Sequence, residues 1–340
     1  MGLSSSRPGP NSGAPFAQGE ARRKDIALPH AVSGLRRETD KRAGRLSYYV
    51  AGEGPPLLLV HSVNAAASVY EVRPIYEKMK AHRRVFAVDL PGFGFSERSD
   101  RDYTPKLYVA AILDMLDVIA ADTGTVKPVD AVALSLSCEF LAQAAVEAPD
   151  RFQSLTFITP TGFDRRSLRS TQSAGGSREI KALSTFLRIP YLNQGLFDLL
   201  VTRPSIRFFL EKTFGSKAID EGLARYDYLS THQPGARFAP FAFVSGKLFS
   251  TNIKSVYEKL FVPIFMPHGT RGDFQDFSGV TWLTRRPNWH VVPLPTGALP
   301  QFEIPDEFNE QLTEFLKSAG ADQSDQSGQA AQSSPSSPVS

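Results

Sequence analysis

Apolar positions along this chain fall into short runs separated by turn residues. Leu46–Ala51 reads as a short strand that stops at Gly52-Glu53-Gly54. Pro56–His61 is a continuous apolar run up to its histidine, the pattern of a strand buried on both faces. A helix is predicted over roughly 68–81, and Arg84–Leu90 is the next strand. Thr104-Pro105 joins an N-cap to a first-turn proline. It opens a helix whose apolar face carries Leu107, Ala111, Leu113, Leu116 and Ile119 and which ends before Gly124. Val129–Leu134 is a strand, followed by a helix to about Ala148. Leu155–Thr159, Val262–Met266 and His290–Leu294 are three more strands. A last helix, with Phe308, Leu312, Phe315 and Leu316 on one face, is predicted to stop at Gly320.

Strand–helix alternation predicts an α/β fold, with a mostly parallel sheet and helices on both faces. The stretch 164–257 breaks the rhythm. Its periodicity is helical, with no convincing strand, so it reads as a helical cap inserted between two sheet strands. The expected organisation is a core of 25–163 and 258–319, a cap of 164–257, and two low-complexity ends. Segments 1–24 and 320–340 have little to bury and are expected to be disordered.

Composition narrows the function classes. The chain has 340 residues, 41% hydrophobic and 21% charged, with a net charge of +3, too balanced to imply a nucleic-acid partner. Basic residues concentrate early, at Arg22, Arg23, Lys24, Arg36, Arg37, Lys41, Arg42 and Arg45, which reads as a solvated charged segment. Cys138 is the single cysteine, so no intrachain disulfide forms, which suits a reducing compartment such as the cytoplasm. No apolar run approaches the ~20 residues needed to span a bilayer, so no membrane association is expected. Met1-Gly2-Leu3-Ser4-Ser5-Ser6 satisfies the loose N-myristoylation pattern, but in so Ser-rich a segment chance explains it.

Three turns carry candidate chemistry. Asp89-Leu90-Pro91-Gly92-Phe93-Gly94-Phe95-Ser96 follows a strand. Its glycines suit a tight turn, but the third glycine of a dinucleotide loop is replaced by Glu97 and no helix follows at once. Ala133-Leu134-Ser135-Leu136-Ser137 sets a serine between a strand and a helix, flanked by small residues that let the turn close. The bland alternative is a helix-capping serine. His61-Ser62-Val63-Asn64 follows the first long strand, where the N–H of Val63, with that of Leu136, would face a developing oxyanion. His61 itself reads as a brace for the loop. No metal motif, P-loop or dinucleotide fingerprint points to a cofactor.

In this order and spacing the three turns resemble the α/β-hydrolase superfamily, over about 45–163 and 258–318. The segment from Asp89 to Ser96 is similar to the turn of epoxide hydrolases, haloalkane dehalogenases and C–C bond hydrolases. The resemblance implies a helical cap at 164–257 and a nucleophile at Ser135. It also implies hydrolysis of an ester or related acyl or C–C bond in an apolar small molecule. The family acid follows the next-to-last strand. The usual spacing falls on Gly272, so with one residue inserted Asp273 is the match, with Asp276 second and Asp164 third. The family histidine belongs after the last strand, in Pro295-Thr296-Gly297-Ala298-Leu299-Pro300, where Ala298 occupies its position.

A serine hydroxyl without a base is a poor nucleophile. Of the other histidines, His290 begins a strand at the wrong end of the sheet, His82 precedes a strand and His30 lies near the N-terminal tail. His268 ends a strand at the correct edge but points beneath the acid loop. His232, in the insertion, is the candidate substitute base. The rival expectation is a non-catalytic binding protein that keeps fold and pocket.

Overall fold

The computed structural model describes residues 27–164, 177–187, 189, 192–273 and 276–332. The expected disorder of 1–24, the Gly2 motif and the extreme C-terminus lie outside the described residues.

Eight strands form one sheet. They are β1 (Leu35–Lys41), β2 (Gly44–Ala51), β3 (Pro56–Val60), β4 (Arg84–Asp89), β5 (Val129–Leu134), β6 (Phe152–Ile158), β7 (Ile264–Gly269) and β8 (Trp289–Leu294). Their spatial order is β1-β2-β4-β3-β5-β6-β7-β8. β1 and β2 pair antiparallel, as do β2 and β4, and every pairing from β4 to β8 is parallel. The inner strands are buried on both faces, and alternate residues feed separate apolar layers, as a pleat requires. Leu58 and Val60 pack into one layer, Leu57 and Leu59 into the other.

The first layer is closed by α2 (Pro105–Thr123) and α3 (Ser137–Glu147), which contribute Tyr108, Ile112 and Phe140. The second is closed by α1 (Arg73–Met79) and by a long C-terminal helix, through Ile75, Met79, Phe308 and Leu312. Thr104 caps α2 by accepting the Leu107 N–H, and Gly124 ends it in the left-handed region.

Between β6 and β7 the described residues form six helices: α4 (Lys181–Leu187), α5 (Leu192–Leu200), α6 (Arg203–Phe214), α7 (Glu221–Thr231), α8 (Phe238–Val244) and α9 (Ile253–Tyr257). The β-structure described there is one isolated bridge, Ser177 to Ser250. After β8 come α10 (Pro300–Glu303) and α11 (Pro305–Gln332). Among the described residues, no helix is long and apolar enough to cross a membrane.

Three elements differ from the sequence reading. β1 carries Leu-Arg-Arg-Glu-Thr-Asp-Lys, whose polarity hides an exposed edge strand. Its charges are largely exposed, and some of them are also paired, as in Arg37–Asp122 at 3.0 Å and Arg36–Glu38 at 2.7 Å. The helix expected over 68–81 splits into a 3-10 turn at Val69–Val72 and then α1, which Pro74 starts afresh in its first turn. The last helix runs through Gly320 to Gln332, because no proline interrupts it before Pro335.

Candidate functional site

The elbow is built by β5 and α3. Ser135 has φ of 50°, and the fully buried Ala133 and Ser137 flank it. A left-handed serine costs roughly 1–2 kcal/mol. Its neighbours hold it there: the Ser135 N–H donates to Ile158 O at 2.9 Å, and Ser135 O accepts from the Cys138 N–H at 3.1 Å. Thr159, at the end of the adjacent strand β6, has φ of 48°. Both strained residues line one cavity of about 500 Å³. Its wall combines sheet-edge loops with Ile206, Leu210 and Phe243 of the inserted helices and Phe249 of the loop that follows them.

The chain's one cysteine, Cys138, is not part of this wall. Its thiol donates to Ala133 O at 3.2 Å, and burial pushes its pKa well above the usual range, so it is an inert packing group.

The loop after β3 is fixed by His61. Its Nδ1 bonds Ser62 O at 2.6 Å and its Nε2 accepts the Leu90 N–H at 3.0 Å. An imidazole that accepts at Nε2 is neutral, and burial drives its pKa down to about 4. His61 therefore braces two turns against each other. The side chains of Val63 and Leu136 are buried in the apolar core. Among the described residues, neither backbone N–H donates to a turn, loop or cap acceptor.

Asp273, Asp276, Asp164 and Ala298 all line the cavity with Ser135. Asp273 is exposed, and its Oδ2 pairs with Lys212 Nζ of α6 at 2.8 Å. Asp276 accepts from the N–H and hydroxyl of Ser278 at 3.1 and 2.6 Å. None of the six histidines of the chain lines the cavity. His232, expected as substitute base, instead ends α7, with Nδ1 at 2.7 Å from Tyr228 O and its ring against Tyr228. His268 stacks on Phe277 at 4.2 Å, and it is Phe277 that reaches the cavity.

The loop at Ala298 does something else. α6 begins at Thr202, which accepts the Ser205 N–H, and ends at Gly215 in the left-handed region. Its last carbonyls would otherwise be orphaned. Thr213 O accepts from the Ala298 N–H at 2.8 Å, and Phe214 O from Arg271 Nε at 3.2 Å. A Cβ on Gly297 would lie 2.5 Å from the Phe214 carbonyl group, so the loop meets the helix end backbone to backbone. The two loops that carry acid and histidine in the resemblance here bind the C-terminal end of α6.

Three buried carboxyls escaped the sequence reading. Glu71 and Asp227 line the cavity, and Glu139 lies beside it on α3. Burial raises the Glu71 pKa, while hydrogen bonds from Ser62 and Asn64 oppose the rise. Burial and then the charge of Glu71 lift Asp227 well above the carboxylate range. Burial raises Glu139 to about 7, against hydrogen bonds from Thr161 and Ser250. In the sequence each sits in an amphipathic helical stretch, where an acid normally marks the solvent face. The one available signal was Ser62 and Asn64, donors in the turn that receives Glu71.

Comparisons with known proteins agree with this fold. The family model for the alpha/beta hydrolase fold matches residues 55–193. The 2-(acetamidomethylene)succinate hydrolase of Mesorhizobium japonicum is 24% identical over 278 residues, covering 80% of this chain and 90% of that protein. The haloalkane dehalogenase of Agrobacterium fabrum is 31% identical over 142 residues, and the match spans only 41% of either chain. A crystal structure of a serine hydrolase involved in carbazole degradation superposes with TM-score 0.64 at 18% identity, over 84% of this chain and 99% of that one. The chain has the α/β-hydrolase fold, and the relatives it resembles are C–C, ester and related hydrolases.

Proposed function

We propose that this protein binds an apolar small molecule in the cavity beneath its inserted helices, and that ordinary Ser-His-acid turnover there is lost. One observation carries the reading: no histidine lines the cavity that holds Ser135, and the backbone at the histidine position is committed to α6. In this reading 164–257 is the cap, Ser135 keeps the nucleophile position and Asp273 the acid position. The N–H groups of Val63 and Leu136 face a ligand oxygen.

A second reading, slow hydrolysis of an ester or related acyl or C–C bond at Ser135, draws support from the retained elbow with its φ of 50°. Without a base the rate falls by ~10²–10⁴-fold or more, since triad members act as a unit. Residual acceleration then comes from the oxyanion donors and from binding.

Two measurements on the full chain separate the readings. Medium-chain apolar esters should displace a hydrophobic dye from the cavity, while p-nitrophenyl butyrate and decanoate are hydrolysed at a rate that Ser135→Ala barely lowers. Brisk hydrolysis abolished by Ser135→Ala would refute the binding reading and require a base other than histidine. Absence of both dye displacement and hydrolysis would refute both.

A further inference from the structure

Two of the missed carboxyls enter the cavity from different elements on one side of the sheet. Glu71 lies in the 3-10 turn Val69–Val72 and Asp227 on α7. Their chain neighbours Tyr70 and Tyr226 stack with centroids 5.1 Å apart, which presses turn and helix together at this point. Each residue is 5% exposed, and each lines the cavity.

The two differ in their partners. Glu71 Oε2 accepts the Ser62 N–H at 2.8 Å, and its Oε1 accepts Ser62 Oγ at 2.9 Å and Asn64 Nδ2 at 3.0 Å. That is the setting of a rigidly held carboxyl whose oxygens both accept hydrogen bonds. Asp227 Oδ1 is buried and receives no hydrogen bond among the described residues. The Thr231 hydroxyl above it donates to the Asp227 backbone carbonyl, not to its carboxyl. A buried polar atom without a partner is costly, and this one belongs to a residue that lines a cavity able to admit a ligand. Among the described lining residues, Asp164, Asp273 and Asp276 add further carboxyls, and Arg178 is the one cationic side chain.

We propose that Glu71 and Asp227 form a cation subsite that takes the ammonium group of an apolar amine. The inference rests on the ligand-binding reading above and adds the ligand's polar end. An ammonium has three donors and no acceptor. It supplies Asp227 Oδ1 with the donor it lacks and reaches the capacity left on Glu71. A positive charge also relieves the repulsion between two carboxyls, which a neutral hydroxyl does not, and a carboxylate worsens it. Burial and then the Glu71 charge hold the Asp227 pKa above the usual carboxylate range, and a cation beside it acts in the opposite direction. The apolar side chains of α6 and α8 on the same wall receive the alkyl chain.

The test is calorimetric titration of the full chain at pH 7 with decylamine, decanol and decanoate, each below its aggregation limit. Decylamine should bind about tenfold or more tighter than decanol, with decanoate weakest. Asp227→Asn and Glu71→Gln should each weaken decylamine about tenfold and leave decanol within about twofold. Asp227 donates and accepts nothing through its carboxyl that holds the fold, so its amide should fold. If a variant does not, the wild-type amine-to-alcohol ratio still decides. Equal binding of amine and alcohol, or an amine preference that survives Asp227→Asn, overturns the subsite while leaving an apolar ligand cavity intact. Failure of all three to bind overturns the ligand-binding reading and the subsite with it.

Discussion

Ala298 shows how one side chain changes what a site can do. Its methyl lines the cavity, and its N–H is committed to Thr213 O. Asp273, proposed for the acid position, is engaged as well, since its carboxylate pairs with Lys212 at 2.8 Å. Adding the ring alone therefore restores only part of the apparatus. Ala298→His should raise p-nitrophenyl butyrate hydrolysis modestly, by roughly tenfold. Ala298→His with Lys212→Met, which frees Asp273, should raise it toward the ~10²-fold low end of general-base assistance. The gain should vanish when Ser135→Ala is added. Steady-state kinetics of the series decides, and a double variant no faster than wild type would mean that Asp273 does not reach position 298. Ala298 and Ser135 were legible in the sequence because both sit in turns bounded by strong strands. The pairing of Asp273 with Lys212 was not, because the partners lie on elements about 60 residues apart and neither carries a local signal.

At the scale of elements, α6 is the piece whose placement matters most. Its N-terminal signals, Thr202 and Pro204, and its C-terminal Gly215 are readable as caps. Its destination is not readable. The helix end docks on Gly297 and Gly272 because those residues have no Cβ to hold it away, with contacts of 2.5 Å and 2.8 Å awaiting any added carbon. Gly297 does not have the positive φ that would make a substitution strained by itself, so the cost of Gly297→Ala is steric. That variant should lose about 1–3 kcal/mol of stability and lift α6 from the loop. Thermal melting would show the first effect. Increased binding of a hydrophobic dye, from a cavity opened at this wall, would show the second. An unchanged melting temperature would mean that the loop yields easily and that the docking is not a constraint. β1 gives the opposite lesson: its local sequence is polar, and only pairing with β2 makes it a strand.

For the molecule as a whole, the buried carboxyls should govern how stability depends on pH. Glu139, on α3, ties the core to the residues before β7, accepting the Ser250 N–H at 2.9 Å and the Thr161 hydroxyl at 2.6 Å. Its pKa rises from 4.5 to about 7 on folding, chiefly through burial. The folded state therefore holds a proton that the unfolded chain releases. The stability this gives is fully present below about 4.5 and is lost as pH rises through about 7. Asp89, raised by burial to about 6, acts in the same direction over a lower range. Glu139→Gln should accordingly be more stable than wild type at pH 8, by on the order of 1–3 kcal/mol, and should lose that advantage by about pH 5. The slope due to Asp89 should remain in the variant. Melting temperatures of both proteins between pH 5 and pH 8 test this, and a difference that does not vary with pH would rule it out.

The sequence by itself determined the mostly parallel sheet, the order along the chain of its inner strands and helices, the strand-to-helix turn at Ser135 and the alanine at position 298. Each of these is written in local periodicity, in turn chemistry or in a residue type at a fixed offset from a strand. Only the tertiary structure decided what surrounds Ser135. Whether a histidine reaches the cavity, where α6 ends, and that Glu71 and Asp227 face one space depend on elements far apart in the chain. Two amphipathic segments can each hide an acid on the buried side, and a pattern that records only hydrophobic spacing cannot register it. The burial that raises those carboxyls exists only once the inserted helices have closed over the sheet.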